Sequence, residues 1–121
     1  MQMVMFVLDN PDQLDDLLTA WRAVGMSGVT IIESTGFHRR HAKKLAVQPM
    51  ALPATLGERI DKGHYTLFAV VPDVEAAQEC LYATESVVGN LDAQSTGVFA
   101  TWETTLTKGV LNHLLRPEPP A

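Results

Sequence analysis

Three of the four histidines in this 121-residue chain stand at the two ends of one cation-rich stretch. His38 and His41 open it and His64 follows its close. Imidazoles so spaced could hold zinc or copper, which makes His38 and His41 candidate metal ligands. Arg39, Arg40, Lys43 and Lys44 surround that pair, however, and positive charge there opposes a dication while favouring an anion. Guanidinium groups hold phosphates or carboxylates through charge-assisted hydrogen bonds, so the stretch as a whole suits an anion better than a dication. The single Cys80 has no partner for an internal disulfide and falls on the inward stripe of an expected helix, where it reads as core. There is no Walker loop, no GxGxxG and no serine in a recognisable nucleophile elbow. The expectation is a protein that is not an enzyme. A small enzyme with an unrecognised pocket is the third-ranked alternative, because triads are recognised by geometry.

The charge is unevenly distributed. Of nine Lys and Arg and fourteen Asp and Glu, six cations and only two acids lie between His38 and Lys62. That window is therefore +4 and the remainder −9, within a formal net charge of −5. No Lys or Arg occurs from Gly63 to Thr107. An acidic body repels a polyphosphate backbone, and six clustered cations are few for non-specific binding, so nucleic acid is not expected as a partner. A basic loop on an acidic body suits a small anion or an acidic protein patch.

Local patterning supplies the elements that must position these groups. The apolar run MQMVMFVL reads as a strand ended by Asp9, Asn10 and Pro11. Asn10 can cap a helix with Pro11 at its first position, and Leu14, Leu17, Leu18, Trp21 and Val24 recur at helical spacing up to the stop at Gly25. Val29 to Thr35, rich in β-branched residues, reads as the second strand. The pattern repeats: a strand over Tyr65 to Val71, a helix opened by Pro72-Asp73 with Ala77, Cys80, Leu81, Thr84 and Val88 inward, a loop over Gly89 to Thr96, and a strand over Val98 to Trp102.

Two βαβ units in one short chain combine most simply as a ferredoxin-like α+β fold. This βαββαβ plan has a four-stranded antiparallel sheet and two helices on one face. Residues 1–115 form a single domain on this reading, and the Pro-rich residues 116–121 fray. Strands such as Val29-Thr30-Ile31-Ile32 and Leu67-Phe68-Ala69-Val70-Val71 carry apolar residues on both faces, so the sheet's far face calls for another subunit. No run approaches the roughly 18 apolar residues of a membrane span, and MQMVMFVL lacks a basic lead and a small-residue cleavage site. The expectations are no direct membrane insertion and a cytoplasmic location.

The connection over Phe37 to Lys62 is far longer than the roughly 2–5 residues of a hairpin. Its first part is basic and its second, Leu45 to Leu56, is uncharged and rather apolar. The two readings of that composition are packing on the domain or a neighbour, and a recognition arm for a partner protein.

Asn10-Pro11, Leu14-Asp15-Asp16, Val24-Gly25, Gly28-x-Thr30, Glu33 and Gly36-Phe37-x-Arg39 together resemble the first half of the nitrogen regulatory protein P-II family. Val70-Val71-Pro72-Asp73 is similar to the start of that family's second helix. The resemblance spans about residues 4–102 and is strongest over 10–39. It implies a homotrimer whose sheets face inward, with subunit clefts that bind an adenine nucleotide (ATP, ADP or AMP) with magnesium. It also implies a long T-loop that docks on a transporter, enzyme or regulator. Thr30 would contact adenine, Gly36 would leave room at the cleft and Arg39 would lie near the phosphates. Phe37, Arg40, His64, Gly89, Gly97 and Lys108 complete the implied ligand-binding set. The chain departs from the family in having no cation between Gly89 and Gly97, in Arg40 for a glutamine, and in His64 for a lysine. No tyrosine lies between His38 and Lys62, which excludes T-loop tyrosine modification. The divalent-cation tolerance proteins, trimers of the same plan, supply the metal-binding alternative.

Overall fold

The computed structural model describes residues 1–26, 28–34, 64–93 and 96–110. The elements are β1 (Gln2–Leu8), a 3-10 turn (Pro11–Gln13), α1 (Leu14–Ala23), β2 (Thr30–Ser34), β3 (His64–Val71), α2 (Val74–Val88) and β4 (Gly97–Glu103). The strands form one sheet in the order β2-β3-β1-β4, every neighbouring pair antiparallel. That is the expected α+β architecture of two βαβ units, in the ferredoxin-like strand order.

Capping chemistry sets the helix ends. The Asn10 side chain accepts a hydrogen bond from the Asp12 amide at 3.0 Å, and the Gln13 amide bonds the Asn10 carbonyl at 3.1 Å. The first turn is therefore tighter than the α-helix expected from Pro11 onward. At the other end the Gly25 amide reaches the Arg22 carbonyl and the Met26 amide the Trp21 carbonyl, both at 3.0 Å. This double bond is a Schellman closure around a left-handed Gly25 (φ 87°). It turns the chain so that Met26 is buried and Val24, expected in the apolar stripe, is exposed. Asp73 caps α2 by accepting from the Ala76 amide at 2.8 Å.

Alternation along the strands decides the core. Val4, Phe6 and Leu8 of β1 and Leu67, Ala69 and Val71 of β3 are buried beneath Leu17 and Trp21 of α1 and Ala77, Cys80 and Val88 of α2. Each large apolar side chain removed from water contributes about 1.5–3 kcal/mol. The two helices are also tied by polar contacts at the core. Trp21 Nε1 donates to Thr84 Oγ1 at 2.8 Å, and Thr84 Oγ1 donates to the Cys80 carbonyl at 2.7 Å, all within fully buried residues. Replacing Thr84 by valine keeps the shape and orphans the indole N–H. Urea unfolding should show a loss of about 1–3 kcal/mol. Burial pushes the Cys80 thiol up to about 12, against a smaller downward pull from the Thr84 hydrogen bond. It is therefore a protonated core group at neutral pH.

Among the described residues no helix packs on the opposite face of the sheet. Strand alternation and register put Ile32, Thr66, Phe68, Met5, Ala100, Val98 and Trp102 on it. Ile32, Val98 and Trp102 are exposed by 48%, 59% and 45%. Among the described residues no helix is long and apolar enough to cross a membrane.

Candidate functional site

The long connection is rooted on two paired strands. Ser34, the last residue of β2, lies opposite His64, the first of β3. Period-two alternation then puts Thr30, Ile32 and Ser34 on the open face beside Phe68, Thr66 and His64. A polar cluster forms at that root. Ser34 Oγ lies 2.8 Å from His64 Nδ1 and 2.9 Å from Thr66 Oγ1, with a longer 3.4 Å donation to the His64 carbonyl. His64 is only 7% exposed, so its imidazole is a held group and not a free surface base. A hydroxyl carries one proton. The Ser34 hydroxyl therefore donates to one neighbour and accepts from another, and the imidazole tautomer fixes which.

Thr30, the candidate adenine contact, is exposed at the start of the β2 edge strand, opposite Phe68. It lies about 13 Å along the strand from Ser34. Gly36, Phe37, Arg39 and Arg40, and the candidate metal ligands His38 and His41, lie outside the described residues, as does the rest of the 37–62 loop. In sequence Arg39 and Arg40 follow Ser34 by five and six positions.

Gly97 is on the other edge strand of the sheet, and Gly89 caps α2. Gly89 ends α2 with φ 87° and Gly97 begins β4 opposite Leu8. Leu8 also pairs with Tyr65, so Gly97 and His64 share one end of the sheet, on either side of β1. A groove of about 390 Å³ runs beside Gly97 between α2 and β4, and a neighbouring hollow of about 440 Å³ continues it past Asp9. Glu85 and Asp92 line the groove with Leu81, Leu91, Val98 and Phe99. Among the described residues its lining contains carboxylates and no cation, so a phosphate there would meet like charge. The Glu85 carboxylate also has an internal task, accepting from the Leu91 amide at 2.9 Å.

Lys108, the last expected anion ligand, is exposed beyond the Glu103 end of β4. Gln2 pairs with both Glu103 and Val71 at that end, whereas Leu8, Gly97 and Tyr65 mark the opposite one. One chain thus joins Ser34, His64 and Thr66, with Thr30 on the same edge, and keeps Gly89, Gly97 and Lys108 apart from them.

Among the described residues no group of three or more His, Cys, Asp or Glu side chains could hold a metal ion. Sequence spacing did not reveal Ser34 and Thr66 as partners of His64, because their meeting depends on strand register. The parity of Ser34, His64 and Thr66 across an assumed β2–β3 ladder was the signal that could have found them. No protein-family model and no curated protein matches this chain.

Proposed function

We propose that this chain is a P-II-like signalling subunit. It assembles as a homotrimer through the open sheet face, binds a small anionic effector at the clefts between subunits, and engages a partner protein through the 37–62 loop. The observation that carries the reading is a ferredoxin-like sheet whose one long connection leaves and returns on adjacent strands, at Ser34 and His64. A change at that root is transmitted directly into the loop, because β2 and β3 are its two fixed ends. The apolar open face supports assembly, since exposed Ile32, Val98 and Trp102 gain by being covered.

An adenine nucleotide with magnesium is the first effector to test. Its phosphates would be held by Arg39 and Arg40, with Lys108 supplied by a neighbouring subunit, and its base would meet Thr30. The acidic groove beside Gly97 makes that edge unsuited to phosphate. A ligand with differential affinity for two loop states would shift their populations and so switch partner binding.

Light scattering after size-exclusion chromatography should give three times the 13.2 kDa chain mass. A thermal-shift panel of ATP, ADP, AMP and cyclic AMP, with and without magnesium and 2-oxoglutarate, reads the effector. A ligand at about 100 times its Kd adds roughly 2.7 kcal/mol, or several degrees for a domain of this size. Arg39→Ala should abolish that shift. A monomer that no nucleotide stabilises would overturn the proposal, and a shift confined to zinc or copper would replace it with the metal-binding reading.

A further inference from the structure

Ser34 closes β2, an edge strand whose neighbour in the sheet is β3, so the end of that strand is held by the β2–β3 pairing and by its own side chain. That side chain is the hub of the polar cluster. Its hydroxyl meets His64 Nδ1 at 2.8 Å, Thr66 Oγ1 at 2.9 Å and the His64 carbonyl oxygen at 3.4 Å. One hydroxyl proton serves these neighbours, so the bonds run in one direction at a time. While Nδ1 carries a lone pair, Ser34 donates to it and Thr66 donates to Ser34. Once Nδ1 carries a proton it donates to Ser34, whose own proton turns to Thr66 or to the His64 carbonyl. The imidazole is almost wholly buried, and burial disfavours its charged form. Protonation therefore reverses the bonds and puts a charge into a closed site.

Among the described residues, the titratable neighbours of His64 by register are Glu33, Tyr65 and Asp9. Glu33 on β2 pairs with Tyr65 on β3, and alternation puts both on the helix-bearing face, away from the imidazole. On β1 the Leu8–Tyr65 pair is followed by Asp9, whose amide continues the ladder to the Thr96 carbonyl at 3.2 Å. Asp9 thus comes level with His64 on the open face and favours the charged imidazole. It is partly exposed, so water weakens that pull, and burial of the ring prevails.

We propose that Ser34, His64 and Thr66 form a proton-controlled latch at the root of the long connection, shut while the imidazole is neutral and released when it takes up a proton. Release of the β2 end exposes the ring to water, so the released state binds a proton more readily than the shut one. The latch is therefore shut above the value of a solvated imidazole, about 6.5, and opens as pH falls below it. The P-II-like reading enters only in the consequence, that releasing the root alters what the loop engages. The latch itself rests on the cluster.

The test is amide hydrogen exchange of the full-length protein read by NMR, at about pH 7.5 and about pH 5.5, on either side of the imidazole value. The readout is the protection factor, which removes the intrinsic dependence of exchange on pH. Protection at residues 32–34 and 64–66 should fall about tenfold at the lower pH, the factor by which one proton favours release one unit below the solvated value. Residues 2–7 and 67–71 should hold. His64→Gln keeps an amide that can accept from Ser34 and cannot titrate, so its protection should be the same at both pH values. Ser34→Ala leaves His64 to titrate without the hub, so protection at 32–34 should be low at both. Wild-type protection that stays constant or rises in acid overturns the proposal. So does a fall that survives in His64→Gln, which would assign it to His38, His41 or His113. If circular dichroism shows His64→Gln unfolded, a tenfold fall that survives in Ser34→Ala overturns the proposal instead. Subunit number and nucleotide affinity enter none of these readings, so the latch and the P-II-like reading can each fail while the other stands.

Discussion

Gly97→Ala is expected to cost about 3 kcal/mol and to lower Tm by roughly 10 °C. A Cβ at this position would collide with the Val7 carbonyl oxygen and lie 2.8 Å from both Cε1 and Cζ of Phe6. The first obstacle is backbone in the neighbouring strand and cannot rotate away. The second is a fully buried ring that also packs on Phe99, with centroids 6.3 Å apart. Relief therefore requires β4 to move off β1, which breaks the Leu8–Gly97 end of the ladder. Thermal unfolding monitored by circular dichroism reads the loss, and Gly97→Val should exceed it. An alanine variant as stable as the wild type would mean that β4 does not begin where this register places it.

The other large effect concerns assembly. Ile32→Asp combined with Trp102→Asp should convert the proposed trimer into monomers at micromolar concentration, with far-ultraviolet circular dichroism unchanged. Both residues are on the face away from the helices and are already 48% and 45% exposed in the single chain, so the fold itself loses little. In an assembled face the two carboxylates would be desolvated without partners, at a cost of several kcal/mol per ion. Sedimentation velocity distinguishes the states. A double variant that keeps the wild-type mass would exclude this face from the interface.

Much of the fold is legible in the sequence because its signals are local. Leu17 and Trp21 follow from helical spacing, Val4, Phe6 and Leu8 from strand alternation, and the caps Asn10 and Asp73 from their own side chains. Val24 misleads for a definable reason: it continues the spacing, but the closure at Gly25 ends the helix and hands the buried position to Met26. Leu81 also keeps its helical period, yet it lines the α2–β4 groove at the edge of the stripe.

The candidate site is legible only in its parts. His64 stands out as one of few histidines, but Ser34 and Thr66 are ordinary strand residues until β2 is placed beside β3 in a particular register. That register joins residues separated by the whole of 35–63, and no local pattern encodes it. Gly97 shows the same limit from the other side. The family resemblance puts it in a ligand-binding set, whereas its neighbours across the ladder already demand the absence of a side chain.

The Ser34–His64 pairing has a thermodynamic corollary for how such a domain can diversify. Because the two ends of the connection are fixed side by side by the β2–β3 ladder, a change in the number of residues between them carries a ring-closure entropy. That entropy grows only with the logarithm of length, about 0.6 kcal/mol for each doubling. On that count a change of length between the anchors is cheap, while Val4, Phe6 and Trp21 hold the core. The paired strands behave as a socket whose two contacts stay in register while the length of what spans them changes.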